Sequence, residues 1–167
     1  MGSNRTTLAT RACLLLLACA VAAFAQDAGP EFKMSELLKM PGKVVAKGSN
    51  ATAAGQYKLR SYRVEEIALP HAATVDVRGR SVSVTKAYRV TLIGGPFPVR
   101  LLPPVVWIGD EAVGYGVEGE DLDEITAVTY DAQLLRDGAT LYLSYGEKSN
   151  KEARTAVPEK LKLGKQD

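Results

Sequence analysis

Seven acidic residues crowd one stretch of the chain: Asp110, Glu111, Glu118, Glu120, Asp121, Asp123 and Glu124. Hard carboxylate oxygens gathered in a loop could bind calcium, and Asp121-x-Asp123-Glu124 has part of that pattern, although the EF-hand spacing is absent. Paired carboxylates could also serve glycoside hydrolysis. The plainer reading is a solvated loop whose charges keep an edge strand from pairing. His71 is the sole histidine. A Ser-His-Asp triad would need it, but there is no Gly-x-Ser-x-Gly elbow, and His71 follows Pro70 in an expected turn. Cys13 and Cys19 are the only cysteines, so a zinc site beyond residue 25 would have one histidine and otherwise carboxylates.

The remaining candidates are for binding. Arg60, Arg63, Arg78 and Arg80 lie close in sequence and could meet an anionic glycan or lipid headgroup, or simply solvate a hairpin. No Gly-rich phosphate loop is present. Tyr115, Tyr142 and Tyr145 could form an exposed row that stacks on sugar rings or on a protein partner, the alternative being burial at a rim. Tyr142 alternates with Leu141 and Leu143 and should point away from them. Trp107, within an apolar run, reads as core.

The elements that must position these residues begin with a segment outside the fold. Arg5 and Arg11 precede an apolar run from Ala12 to Ala22, and Ala23-Phe24-Ala25 is a small-x-small cleavage signal. That order is a secretory leader, too short to span a bilayer, with Gln26 as the expected first residue after cleavage. Leu16-Leu17-Ala18-Cys19 resembles a lipobox, so lipid anchoring at Cys19 is a minor alternative. Without the leader no cysteine remains, hence no disulfide framework. The full chain carries 21 basic and 19 acidic residues, net +2. Loss of Arg5 and Arg11 brings it to neutrality, which removes any global attraction to nucleic acid.

Glu31 to Met40 predicts one short helix, stopped by Pro41-Gly42. Lys43 to Lys47 predicts a strand and Gly48 to Gly55 a loop. Gln56 to Leu69 predicts a long strand broken by Pro70. Ala73–Val77 and Ser81–Ile93 flank Arg78-Gly79-Arg80 as a hairpin, with period-two alternation along its second arm. Val99 to Leu102 predicts a short strand between proline breaks. Val105-Val106-Trp107-Ile108 is an unbroken apolar run, as expected of a strand covered on both faces. Ala112–Val117, Leu122–Tyr130 and Thr140–Tyr145 complete the strands. Residues 151–167 read as a polar tail, with one short strand near Thr155–Val157 before it frays.

Short strands with Gly and Pro at the turns and no long helix predict an all-β, antiparallel β-sandwich. Val90-Thr91-Leu92-Ile93-Gly94-Gly95-Pro96-Phe97, then Val106-Trp107-Ile108-Gly109, Ile125-Thr126-Ala127-Val128 and Gly138-Ala139-Thr140-Leu141, resemble the strand-and-turn succession of the IPT/TIG immunoglobulin-like domain over roughly residues 88–146. Pro103-Pro104 and the long acidic turn depart from that pattern, and residues 31–80 match nothing in it. The resemblance implies a binding or spacing module without catalytic residues. The expectation is therefore an N-terminal extension over 26–70, an immunoglobulin-like sandwich over 71–150 and the tail. It would be periplasmic or secreted, with no transmembrane segment after the leader, no enzymatic activity and no cofactor. Its partner would be a protein of the bacterial cell envelope or surface, or else a glycan held by the tyrosines.

Overall fold

The computed structural model describes residues 32–164; the expected leader, the lipobox and residues 165–167 lie outside them. A four-residue helix, α1 (Met34–Leu37), is followed by nine strands: β1 (Lys43–Ala54), β2 (Leu59–Val77), β3 (Arg80–Ile93), β4 (Pro104–Ile108), β5 (Glu111–Tyr115), β6 (Val117–Glu118), β7 (Glu124–Thr129), β8 (Leu141–Tyr145) and β9 (Thr155–Ala156). They form two antiparallel sheets, β1-β2-β3-β7-β6 and β5-β4-β8-β9. The expected all-β sandwich is what the chain builds.

Alternation along each strand explains the packing. Tyr62, Val64, Val90, Leu92, Ile125 and Ala127 of the larger sheet face Val106, Ile108, Leu141 and Leu143 of the smaller one, and all are buried. The intervening residues of the larger sheet point outward. There Ile67, Ala87 and Val128 meet Leu37 of α1, with Phe32, Met34 and Met40 packed alongside, in a second apolar cluster. All five residues of β4 are buried, as its unbroken apolar run predicts.

Several elements differ from expectation. β1 continues through the expected loop at Gly48–Gly55 as far as Ala54, pairing with β2 there at Gly48, Ser49 and Ala54. β2 is not broken by Pro70. Its register jumps between Ala68↔Lys86 and Ala73↔Val84, so Leu69–Ala72 loop out opposite Thr85 alone. A proline has no ladder donor to lose in such a bulge. The strand thus crosses the expected division at residue 70, and residues 43–70 supply two strands of the larger sheet. The hairpin turn holds two residues: Arg78 and Gly79 both have positive φ, +55° and +74°, as a type I′ turn requires, and Val77 pairs with Arg80. Val99–Leu102 is not a strand; Pro98 and Pro103, with no N–H to donate, keep a ladder from running in from either side.

Two crossings close the flanks of the sandwich. On one side β5 edges the smaller sheet and β6 edges the larger one, with Gly116 alone between them. A Cβ at Gly116 would lie 2.5 Å from Ile125 Cγ2, so only glycine lets the chain change sheets here. On the other side the expected fraying tail is a strap. β9 pairs with β8, Val157 and Leu161 enter the core at 2% and 0% exposure, and Leu163 bridges Ala46 of β1. The Tyr62 hydroxyl donates to Lys160 O at 2.9 Å and accepts from Lys162 N at 2.8 Å. Apolar residues at 157 and 161 suffice to recruit an otherwise charged segment, because the core between β1 and β8 is open without them.

Candidate functional site

The three tyrosines do not form one row. Leu141, Leu143 and Tyr145 share the inner face of β8, and Tyr145 is 7% exposed, its ring 5.2 Å from that of Tyr57. Burial pushes the Tyr145 phenol well above its usual range, and the neighbouring Glu118 carboxylate adds to the effect. Tyr142 points outward as expected and is half-buried, because the Arg154 guanidinium lies over its ring at 4.5 Å. Tyr115 on β5 is the exposed member, with Lys148 Nζ 4.5 Å from its ring centre.

Trp107 is buried, but outside the inter-sheet core. It pairs across strands with Tyr142 on the outer face of the smaller sheet, and its indole N–H donates to Ser144 Oγ at 2.9 Å. Arg154 closes over it. The guanidinium lies 5.3 Å from the Trp107 ring, donates to Gly109 O at 2.9 Å and, through Nε, to Lys151 O at 2.8 Å. One arginine therefore ties the 146–154 loop onto an aromatic strip. Replacing Arg154 with alanine should expose the chain's single tryptophan, shift its emission to the red and lower stability by about 1–2 kcal/mol, the range of a partly desolvated cation–π contact. An unshifted emission maximum would show that the loop stays down without it.

The acidic stretch is a tied turn. Gly119 N donates to Glu124 O and Leu122 N to Gly119 O, while Asp121 and Asp123 point to solvent. Glu124 lies 3.9 Å from the Arg63 guanidinium. Among the described residues no group of three or more His, Cys, Asp or Glu side chains is arranged to hold a metal ion, so Asp121, Asp123 and Glu124 are not gathered into a calcium site. The arginines separate into two pairs. Arg60 and Arg63 lie near one end of β2, while Arg78 and Arg80 lie at the turn beyond its other end. Arg63 pairs with Glu65 at 3.4 Å, and Arg78 with Asp131 at 2.6 Å. His71 is exposed in the β2 bulge, its ring 4.8 Å from Phe32.

The feature that sequence reasoning missed lies between β3 and β4. Val99, Leu101 and Leu102 are 76%, 104% and 57% exposed, though their neighbours are fixed. On one side Phe97 is buried and its N–H donates to Leu122 O at 2.6 Å; on the other, Pro103 O accepts from Gly146 N and Pro104 O from Gly116 N. The chain is pinned at both ends and projects an apolar ridge between them. Tyr115 and Val117, on either side of Gly116, add exposed apolar surface next to the Pro104 anchor. The proline bracketing of Val99–Leu102 was the available signal, since a β-prone run without ladder partners must leave its apolar side chains in water.

Two antiparallel sheets sewn together at both flanks, with an apolar ridge at one end, define the class of this protein as a β-sandwich. No family model, curated protein or solved structure matches the chain.

Proposed function

We propose that this protein is an exported, non-enzymatic, immunoglobulin-like β-sandwich module that docks a protein partner in a bacterial cell envelope. The observation that carries the reading is the ridge. Three large aliphatic side chains held in water on a pinned loop are a standing unfavourable exposure, of the kind that a partner surface relieves. Export follows from the leader pattern at residues 1–25. The non-enzymatic reading is supported by the IPT/TIG-like strand-and-turn succession, which carries no catalytic residues, and by a histidine that faces solvent.

The test is affinity capture from envelope extract with the parent protein and a Leu101→Ser/Leu102→Ser variant. Both side chains are exposed, so the variant should fold normally and melt within about 0.5 kcal/mol of the parent. It should lose about tenfold or more in affinity for whatever the parent retains, as expected when apolar contact residues are removed. Equal retention by parent and variant, or no envelope protein retained by the parent, would refute the ridge as the docking surface. The alternative partner, a glycan, now rests on Tyr115 as the one exposed tyrosine of the three. Glycan-array binding lost on Tyr115→Ala would favour it.

A further inference from the structure

Resting on the docking reading above, we infer that the partner of the ridge is the ridge of a second copy of this chain, so that the protein is a two-fold dimer through its apolar pole. Val99, Leu101 and Leu102 stand between the anchors at Phe97 and Pro103, and Tyr115 and Val117 beside them are 45% and 44% exposed. These are five of the eight large apolar side chains left exposed among the described residues; Val44, Val82 and Leu163 lie elsewhere. Exposed apolar surface is thus concentrated at one pole, where a contact surface would be.

The charges around the ridge decide between occupants. At its Phe97 end the acidic turn is bound to it directly: Phe97 N donates to Leu122 O at 2.6 Å and Gly94 N to Asp123 O at 2.9 Å. Glu120, Asp121 and Asp123 are exposed there, and none has a cationic partner among the described residues. At the Pro103 end Gly146 N donates to Pro103 O, and Lys148, two residues on, lies over Tyr115. Arg100, within the ridge, lies 5.3 Å from the Tyr145 ring. Neither cation has a carboxylate partner among the described residues. Lys58 and Arg60, which flank Leu59 next to Gly94, and Glu147 beside Lys148 offset part of each charge and leave the Phe97 end acidic and the Pro103 end basic. An anionic lipid surface would meet half of this pattern with repulsion. A two-fold copy meets all of it with attraction. In an isologous pair the two ridges run in opposite directions, so the acidic end of each lies beside the basic end of the other. Five apolar side chains with a charged rim are on the small side of the roughly 800 Å² that a stable dimer buries per partner. The pairing is therefore reversible, with a Kd on the order of 10 µM.

The experiment is sedimentation equilibrium of the purified protein, from low micromolar concentration to about a millimolar. The parent should pass from monomer to dimer. Leu101→Ser/Leu102→Ser should remain monomeric while melting as the parent does. Lys148→Glu and Asp121→Lys, both at exposed positions, should each weaken the dimer about tenfold, because each sets like charges against the copy. Mixed in equal amounts, these two variants should pair with each other as tightly as the parent pairs with itself, since each supplies the sign the other lacks. A parent that stays monomeric throughout, a dimer that survives the double serine substitution, or charge variants that do not complement each other would each overturn the inference. Its failure is separable from that of the docking reading. A monomeric parent that still retains an envelope protein through Leu101 and Leu102, or cosediments through them with phosphatidylglycerol vesicles, removes the second copy and assigns the ridge to that occupant.

Discussion

Replacing Arg89 with methionine should lower the stability of the protein by about 3 kcal/mol, the order seen when one partner of a largely buried ion pair is removed. Arg89 and Glu65 are each 13% exposed and lie 2.9 Å apart on the outer face of the larger sheet. The same guanidinium donates to Leu38 O at 2.6 Å and Met40 O at 3.2 Å, just beyond α1. A helix of four residues has almost no stability of its own; Arg89 and the apolar contacts of Leu37 hold it. The variant should therefore also loosen residues 32–42, seen as faster amide exchange at Leu38 and Met40. The pH dependence adds a second check. Burial by itself would raise the Glu65 carboxyl, but the Arg89 hydrogen bond and charge, with help from Arg63, bring it below the ordinary value of 4.5. A depressed folded pKa contributes stability above the unfolded pKa that is lost as pH falls through the folded one. The parent should accordingly lose this contribution below about pH 4.5. In Arg89→Met the carboxylate keeps only Arg63 as a partner, burial weighs more against its charged form, and acidification penalises the fold less. The stability gap between parent and variant should narrow as pH drops from neutral to 4; a constant gap would show that Glu65 is not coupled to Arg89.

Leu161→Ala should be comparably severe, at about 3 kcal/mol within the 2–5 range for a fully buried leucine. Leu161 is 0% exposed and is the deepest anchor of the strap. Its N–H donates to Ala139 O at 2.7 Å and its carbonyl accepts from Gly138 N at 2.8 Å. Urea denaturation gives the stability change. Hydrogen exchange gives its locality: the amides of Leu161, Lys162 and Gly164 should exchange ahead of β3 and β7, because the strap can detach as a unit. Tyr62→Phe should weaken the same strap by about 1 kcal/mol by removing two hydrogen bonds and leaving the rest of the core intact. Uniform exchange across the chain in Leu161→Ala would mean that the strap and the sandwich unfold together.

The parts of the fold legible in the sequence are those where composition and periodicity agree. Val105–Ile108 could hardly be anything but a strand covered twice, and the alternation from Ser81 to Ile93 fixes the face of β3. Pro70 misled because a proline stops a strand only if the strand must donate at that position, and a bulge removes the need. The short strand expected near Thr155–Val157 is β9, but the segment after it misled, because two buried apolar residues spaced four apart are too few to register against a charged background. Tyr145 misled in a different way. Strand parity puts it with Leu141 and Leu143 on the inner face, opposite to Tyr142. The ridge was legible only in part: Pro98 and Pro103 bracket Val99–Leu102 in the sequence, but which side chains stay uncovered is decided by pairing between elements far apart in the chain.

The bridge between Ala46 and Leu163 also sets where the two ends of the described chain lie. Ala46, Val64, Val90 and Ala127 lie in one row across the larger sheet. β1 and the strap are antiparallel at that row, so the chain enters at Lys43 and leaves at Gly164 on the same side of it. β3 runs the other way from the row, through Ile93 to the ridge. Lys43 and Gly164 thus lie at one pole and Val99, Leu101 and Leu102 at the other. The hairpin turn at Arg78 and Gly79 lies at the same pole as Lys43 and Gly164. A partner seated on the ridge would therefore approach from the pole opposite both Lys43 and Gly164.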